Sequence, residues 1–282
     1  MKLLITGSKG QIGYYLQKAL SDEHLELFLT DRNNMDITDY EQTNSTVATI
    51  KPDIIIHSAA YTSVDACETN PNEAYRVNAL GTRNLAIACN NVNAKMLYIS
   101  TDFVFDGTKE SPYIEFDEPN PLNIYGKTKL AGEEFVKSLL NKFFIVRTSW
   151  LYGSHGNNFV KTIQNLAKQK GIIKVVDDQT GSPTFAEDLV EIILQLIKTD
   201  YYGIYHCSND GQCSWYEFAK KIIEYAGLSE ITIQPITSEE LNRPAKRPNF
   251  SVLKNYMLEL QSLNKVPHWM DSLESFLQRK GH

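Results

Sequence analysis

Residues 2–16 read KLLITGSKGQIGYYL: an unbroken apolar run, a loop with a glycine at every third position, and the start of a helical pattern. An apolar run without alternation is the mark of a strand buried on both faces of a parallel sheet. Gly7, Gly10 and Gly13 then permit a tight turn, let the backbone approach a pyrophosphate and let the helix pack closely on the strand. The helix N-terminus that follows offers unpaired N–H groups and a favourable dipole to the phosphates. The next apolar run, 25–30, ends at Asp31, an acid placed to accept hydrogen bonds from adenosine ribose hydroxyls, which favours NADH. Arg32 beside it and Lys9 in the loop offer positive charge to a 2′-phosphate, so NADPH stays open as well.

Outward from this unit the same alternation continues. Strands are expected at 53–59, 96–101 and 143–150, with helices at 40–50, from Pro71 through the periodic stretch 73–91, and from about Tyr125. This predicts an α/β fold, a Rossmann doubly wound parallel sheet over residues 1–150. Residues 151–282 are less regular. Strands at 172–176 and 203–208 and amphipathic helices near 187–198 and 214–227 suggest a smaller C-terminal substrate-binding lobe, with some segments returning to the first domain. The stretch 237–260 is polar and contains prolines, and is expected to lie on the surface.

Bulk properties exclude several classes. A formal charge of −6 argues against nucleic acid or an anionic membrane as the main partner. The N-terminal apolar run is too short for a signal peptide, and VEIILQLI is broken by Glu191 and Gln195, so no membrane span is expected. Cys67, Cys89, Cys207 and Cys213 form no C-x-x-C pattern and read as reduced thiols of a cytoplasmic protein. His206, Cys207 and Cys213 lack a metal-ligand spacing, so no metal site is expected, and no G-x-S-x-G elbow is present.

Tyrosine precedes lysine by four residues at Tyr14–Lys18, Tyr125–Lys129 and Tyr216–Lys220. The first pair sits on the helix after the glycine loop and the third on a late amphipathic helix, where packing is the ordinary role. The middle pair opens the helix between two sheet strands, near the carboxyl edge where ligands bind in such folds. Residues i and i+4 share one helix face, so phenol and ammonium can act on one ligand. The preceding strand ends in Ser100-Thr101-Asp102, which places a hydroxyl within reach of the same carbonyl oxygen. A lysine charge is expected to lower the phenol pKa and fit it for proton transfer beside a nicotinamide.

These motifs, with GQIG, PDIIIHSAAYTSVDACE, STDFVFDG, PLNIYGKTKLAGE, RTSWLYG, GNNF and DQTGSPT, resemble the dTDP-4-dehydrorhamnose reductase family of the extended short-chain dehydrogenases/reductases. The resemblance runs from residue 1 to about 200, and RPAKRPNFSVL carries it further. It implies NAD(P)H-dependent reduction of the 4-keto group of dTDP-4-dehydro-L-rhamnose, with Tyr125, Lys129 and Thr101 catalytic. It implies that Gly10, Gln11 and Ile12 lie along the pyrophosphate, that Asp31, Asp36 and Ile37 meet the adenosine, and that Ala60, Tyr61 and Thr62 line the cofactor cleft. Thr101, Asp102 and Trp150 would meet the sugar nucleotide, and Arg243, Lys246 and Arg247 are candidates for its diphosphate. A divalent ion such as Mg2+ and a homodimer remain open. Two other readings compete: another nucleotide-sugar epimerase or dehydratase, and a regulatory subunit of the methionine adenosyltransferase type. An Asp102-Phe103 pair stands where dehydratases of the superfamily place Asp-Glu, which speaks against dehydration.

Overall fold

The computed structural model describes residues 1–21, 25–169, 171–228, 230–263 and 265–279. The first half alternates β1 (Lys2–Thr6), α1 (Gln11–Ala19), β2 (Glu26–Thr30), α2 (Tyr40–Ile50) and β3 (Ile54–His57). It continues through α3 (Val64–Thr69), α4 (Pro71–Tyr75), α5 (Thr82–Asn91), β4 (Lys95–Thr101), α6 (Ile124–Leu139) and β5 (Phe143–Thr148). The second half adds β6 (Leu151–Tyr152), α7 (Phe159–Ala167), β7 (Ile172–Val176), β8 (Thr180–Gly181), β9 (Thr184–Phe185) and α8 (Ala186–Leu196). It ends with β10 (Gly203–His206), β11 (Cys213–Ser214), α9 (Trp215–Tyr225), β12 (Thr232–Ile236), α10 (Ser238–Leu241), α11 (Tyr256–Leu260) and α12 (Trp269–Gln278).

Six strands form one parallel sheet in the order β10-β5-β4-β3-β1-β2. The winding reverses between β1 and β3, so the loops after these two strands diverge and open a crevice at the carboxyl edge. Residues 7–10 and 58–62 are those loops. Among the described residues β2 is the edge strand on this side of the sheet. The chain from Asp31 to Asp39 turns on its own side chains: Asp31 accepts from the Asn33 N–H at 2.7 Å, Asp36 from Thr38 at 2.9 Å, and Asp39 caps α2. Asn and Asp offer the backbone these local partners in place of a ladder.

Alternation along the strands builds two cores. Leu3, Ile5, Ile56, Leu97 and Val146 pack against Tyr15 and Leu16 of α1, Leu189 and Ile193 of α8, and Leu273 and Phe276 of α12. Leu4, Ile55, Met96, Tyr98 and Ile145 face Val47 of α2, Leu85 and Cys89 of α5 and Val136 of α6. The first cluster runs without a break into Phe218, Ile222 and Trp269, so the later elements share a core with one face of the sheet. All four cysteines are buried and unbridged, and burial raises the Cys67 thiol to about 11 and the Cys89 thiol to about 12. Among the described residues no helix is long and apolar enough to cross a membrane.

Two expectations are corrected. The single helix over 73–91 is interrupted by a π-helical turn, Arg76–Gly81. Such turns insert a residue and often stand at functional sites. Here Asn78 is buried, and its amide accepts from the Tyr61 N–H at 2.7 Å and donates to the Tyr61 carbonyl at 3.1 Å and to Thr128 Oγ1 at 3.0 Å. The stretch 237–260 is not simply surface. Ser251, Val252, Leu253 and Asn255 are buried, because the chain pairs inward through bridges Thr180–Phe250 and Tyr113–Leu253.

A buried ion pair locks α6 to the sheet. Arg147 on β5 reaches Glu133 on α6, Nη2 to Oε2 at 2.6 Å and Nε to Oε1 at 3.0 Å, while Ser100 on β4 donates to Oε1 at 2.5 Å. Both charged side chains are at most 2% exposed. Arg147→Leu strands the Glu133 carboxylate without its cation and should cost about 3–5 kcal/mol of unfolding free energy, read from urea denaturation. A loss below about 1 kcal/mol would show that the pair is not needed to hold α6.

Candidate active site

The first turn of α6 is built to stand close to the end of β4. Asn123 caps it by accepting from the Gly126 N–H at 2.8 Å, and its amide donates to the Lys246 carbonyl at 2.8 Å. Glu68 accepts the Ile124 N–H at 2.7 Å, placing an acid at the positive end of the helix. Gly126 has no room for a side chain, since a methyl there would run into the Phe103 carbonyl. This approach sets Tyr125 and Lys129 on the helix face that lines the cleft.

Lys129 is buried. Its ammonium donates to the Ile99 carbonyl at 2.7 Å and lies 4.1 Å from the centre of the Tyr98 ring. Burial brings its pKa down to about 7, against a weaker opposing pull from Glu133. Tyr125 moves the other way from the sequence expectation. Burial, helped by the Asp102 charge, raises its phenol well above the ordinary value, and the Thr101 hydroxyl only partly offsets this. Desolvation of the phenolate is the largest of these effects, and the lowering expected from the lysine charge is not seen.

Thr101 ends β4. Its hydroxyl donates to Asp102 Oδ1 at 3.0 Å and accepts from the Phe103 N–H at 3.2 Å. The other Asp102 oxygen accepts from Ser251 Oγ at 2.6 Å. Asp102 is 3% exposed, and burial lifts its pKa to about 7 in spite of these two donors. Thr148, at the end of neighbouring β5, has a buried hydroxyl with no partner among the described residues, and it also lines the cleft. That unpaired hydroxyl is a group the sequence reading missed. So are Asn78, Ser251 and Trp215, because each is recognisable only through what it touches.

The cleft has a volume of about 970 Å3, at the upper end of the range for small-molecule and cofactor sites. Gly7, Gly10, Gln11 and Ile12 line one end, with Asp31, Arg32, Asp36 and Ile37. Ala60, Tyr61 and Thr62 form its wall, and Thr101, Asp102, Tyr125, Lys129 and Trp150 the other end. Gly7 has φ +68°, and a methyl on it would come within 2.7 Å of the Ala59 nitrogen, so the loop must lack a side chain there. Gly13 does not line the cleft; a methyl there would sit 2.5 Å from the Ser8 carbonyl, so this glycine serves close packing. Lys9 pairs with Asp31 at 2.5 Å and Arg32 lies 3.6 Å from Asp36. These residues therefore fit a dinucleotide, with acid and base both at the ribose end.

The remaining candidates separate. Arg243 and Arg247 are not among the cleft-lining residues. Arg247 grips Asp65 with both nitrogens at 3.0 Å, and Arg243 stands 3.6 Å from the same acid, so the free basic cluster expected from the sequence is tied to α3. Tyr14 is exposed and stacks on His155, while Lys18 pairs with Glu187 at 2.8 Å. Lys220 stands over its own Tyr216 ring, away from the cleft. Among the described residues no group of three or more His, Cys, Asp or Glu gathers as a metal site.

A parallel sheet with a glycine loop at its winding reversal, and a Tyr–Lys pair at the same edge, defines an extended short-chain dehydrogenase/reductase. The chain belongs to the family of the RmlD substrate binding domain, whose model matches residues 1–281. It is similar to the dTDP-4-dehydrorhamnose reductase of Clostridium acetobutylicum, with 47% identity, 100% of each chain covered and a TM-score of 0.98. It is also similar to the dTDP-4-dehydrorhamnose reductase of Bacillus anthracis, solved in complex with NADP, with 48% identity, 99% of each chain covered and a TM-score of 0.96. The spore coat polysaccharide biosynthesis protein SpsK of Bacillus subtilis is 40% identical over 279 residues, 99% of this chain and 98% of the relative.

The raised Asp102 pKa has a consequence for stability. The folded state holds this proton more tightly than the unfolded chain, so its contribution is complete below about pH 4 and fades as pH rises through about 7. Asp102→Asn keeps the shape and one of the two acceptor oxygens and removes the titration. Between pH 4.5 and 7.5 the melting temperature of the parent should fall relative to that of the variant. A constant difference across that range would mean that Asp102 does not titrate there.

Proposed function

We propose that this chain reduces the 4-keto group of dTDP-4-dehydro-L-rhamnose to dTDP-L-rhamnose with NAD(P)H. The observation that carries the reading is a single cleft lined at one end by the glycine loop and at the other by Thr101, Tyr125 and Lys129. The names of the similar reductases supply the substrate. When bound, the nicotinamide supplies the hydride that adds to C4 of the sugar. The Tyr125 O–H donates its proton to the carbonyl oxygen as negative charge develops there. A phenol kept above its ordinary pKa holds its proton until that charge appears, and then gives it to a stronger base. Lys129, held on the Ile99 carbonyl, places its charge where it steadies the phenolate that remains and offers N–H donors to the nicotinamide ribose. Thr101, by turning its proton from Asp102 Oδ1 to the substrate, hydrogen-bonds the reacting oxygen, and with Asp102 and Trp150 it orients the sugar.

At the other end, Gly10, Gln11 and Ile12 take the pyrophosphate, and Asp31, Asp36 and Ile37 the adenosine. Asp31 serves the ribose hydroxyls of NADH, while Arg32 serves the 2′-phosphate of NADPH, in keeping with the NADP bound to the Bacillus anthracis relative. Residues 1–150 hold the cofactor and 151–282 complete the sugar end, with α8, β10 and α12 packed back on the sheet. We infer that the reaction takes place in the cytoplasm. No divalent ion and no homodimer contact is assigned.

Tyr125→Phe should fold and bind NADPH, and should lower kcat by roughly 10²–10⁴-fold because the proton donor is gone. Lys129→Ala should lower kcat and also weaken the cofactor. Tyr14→Phe and Tyr216→Phe should stay within a few-fold of the parent. Parent-like turnover by Tyr125→Phe, measured as NADPH oxidation with the 4-keto sugar, would remove the phenol from the mechanism. Tight NADPH binding without reduction of any dTDP-4-keto sugar would favour a regulatory subunit. Water loss from dTDP-glucose would favour a dehydratase.

Cofactor choice gives a second test. Asp31→Ala should raise KM for NADH more than for NADPH, and Arg32→Ala should do the reverse, each by the equivalent of about 1.5–3 kcal/mol for a charged hydrogen bond. Equal changes for both cofactors in both variants would contradict the assignment.

A further inference from the structure

Two residues proposed to meet the sugar, Trp150 and Asp102, are each held by a partner from the far half of the chain, and the two partners meet on one small ribbon. Trp150 has φ +46°, a left-handed conformation that a bulky side chain adopts only when its surroundings impose it. Its indole stacks on that of Trp215 with ring centroids 3.5 Å apart and planes within 7°. Gly181 lies against the same indole: a methyl there would stand 2.6 Å from Nε1. Gly181 and Trp215 are brought together because β8 pairs antiparallel with β11, Cys213 opposite Gly181, and Trp215 is the first residue of α9 after the Ser214 cap. The same ribbon holds Ser251. The Thr180 N–H donates to the Asn249 carbonyl at 2.8 Å, and the Ser251 N–H returns the bond to the Thr180 carbonyl at 2.8 Å. Ser251, 2% exposed, then donates its hydroxyl to Asp102 at 2.6 Å.

We propose that the β8–β11 ribbon is the positioning frame of the sugar end of the cleft, with Trp215 setting the Trp150 indole and Ser251 setting the Asp102 carboxylate. This rests on the function proposed above and adds two positioning residues to it. Trp215 itself lines the cleft, whereas Ser251 acts only through Asp102. Among the described residues the hydrogen bonds and ring contacts of the frame run to Trp150, Asp102 and the chain beside them, so its loss should be felt by the sugar and not by the cofactor.

The test compares Trp215→Ala and Ser251→Ala with the conservative Trp215→Phe and Ser251→Thr. Calorimetry measures the affinities for dTDP-L-rhamnose, for dTDP and for NADPH. Both alanine variants should weaken dTDP-L-rhamnose by about tenfold, as expected for a lost hydrogen bond or aromatic contact, and leave NADPH within about twofold. The affinity for dTDP, which lacks the sugar, should change less than that for dTDP-L-rhamnose. The conservative variants should recover most of the loss. Equal weakening of dTDP and dTDP-L-rhamnose, equal weakening of NADPH, or no change in any of them would each overturn the inference. If the parent binds dTDP-L-rhamnose but reduces no 4-keto sugar, the proposed function fails while the binding comparison still decides the role of the frame. If the parent binds dTDP-L-rhamnose no better than dTDP, the sugar end is misplaced and the inference fails.

Discussion

An ammonium inside a protein needs acceptors and a reason not to lose its place, and Lys129 organises its surroundings accordingly. Its Nζ is held by a strand-end carbonyl, Ile99, and by the face of Tyr98. Both lie on β4, so α6 must run close against that strand. Gly126 and Gly132 permit the approach: methyl groups there would meet the Phe103 carbonyl and the Tyr98 hydroxyl. Arg147 then fastens the next turn of α6 through Glu133, whose pull on Lys129 is weaker than the effect of burial. The site thus depends on a helix drawn tightly onto a sheet, with its charges divided between two partners on adjacent strands.

The same division explains why the two titrating groups at the sugar end are shifted. Asp102 and Lys129 are both buried, and both are brought to about 7, one from below and one from above. Desolvation dominates in each case, since their hydrogen-bond partners are hydroxyls and a carbonyl rather than opposite charges. A cleft with groups poised in this way near neutrality suits proton movement to a developing alkoxide. It also makes the local stability sensitive to pH, which is a cost that active sites commonly carry.

The end of the cleft proposed to take the sugar draws on distant parts of the chain. Thr101 and Asp102 arrive with β4, Tyr125 with α6 and Trp150 just after β5, all within the first 150 residues. What holds Asp102 and Trp150 comes from residues 180–251, through β8, β11 and the chain beside them. The cofactor end is different. There the glycine loop, the ribose acids and the wall at 60–62 follow directly from strands β1, β2 and β3.

That contrast marks what could be read before folding. The glycine spacing after an apolar strand, the acid ending the second strand and the Tyr–Lys pair opening a helix are local patterns, so the parallel α/β class and the ends of the cleft were legible from residues near one another in sequence. The Asx turns that carry residues 31–39 from β2 to α2 were not read from the sequence, because they rest on which side chain meets which backbone N–H. The π turn that directs Asn78 to Tyr61 was hidden within a good helical pattern, and the basic run at 243–247 concealed its pairing with Asp65. The sequence by itself determined the sheet and the chemistry that its edge can carry, since these rest on period, glycine and short spacings. Only the tertiary structure decided the directions in which burial moves the Tyr125 and Lys129 pKa values, the burial of Ser251 and the Trp150–Trp215 stack. Desolvation and contacts across 65–150 residues exist only once the chain has folded.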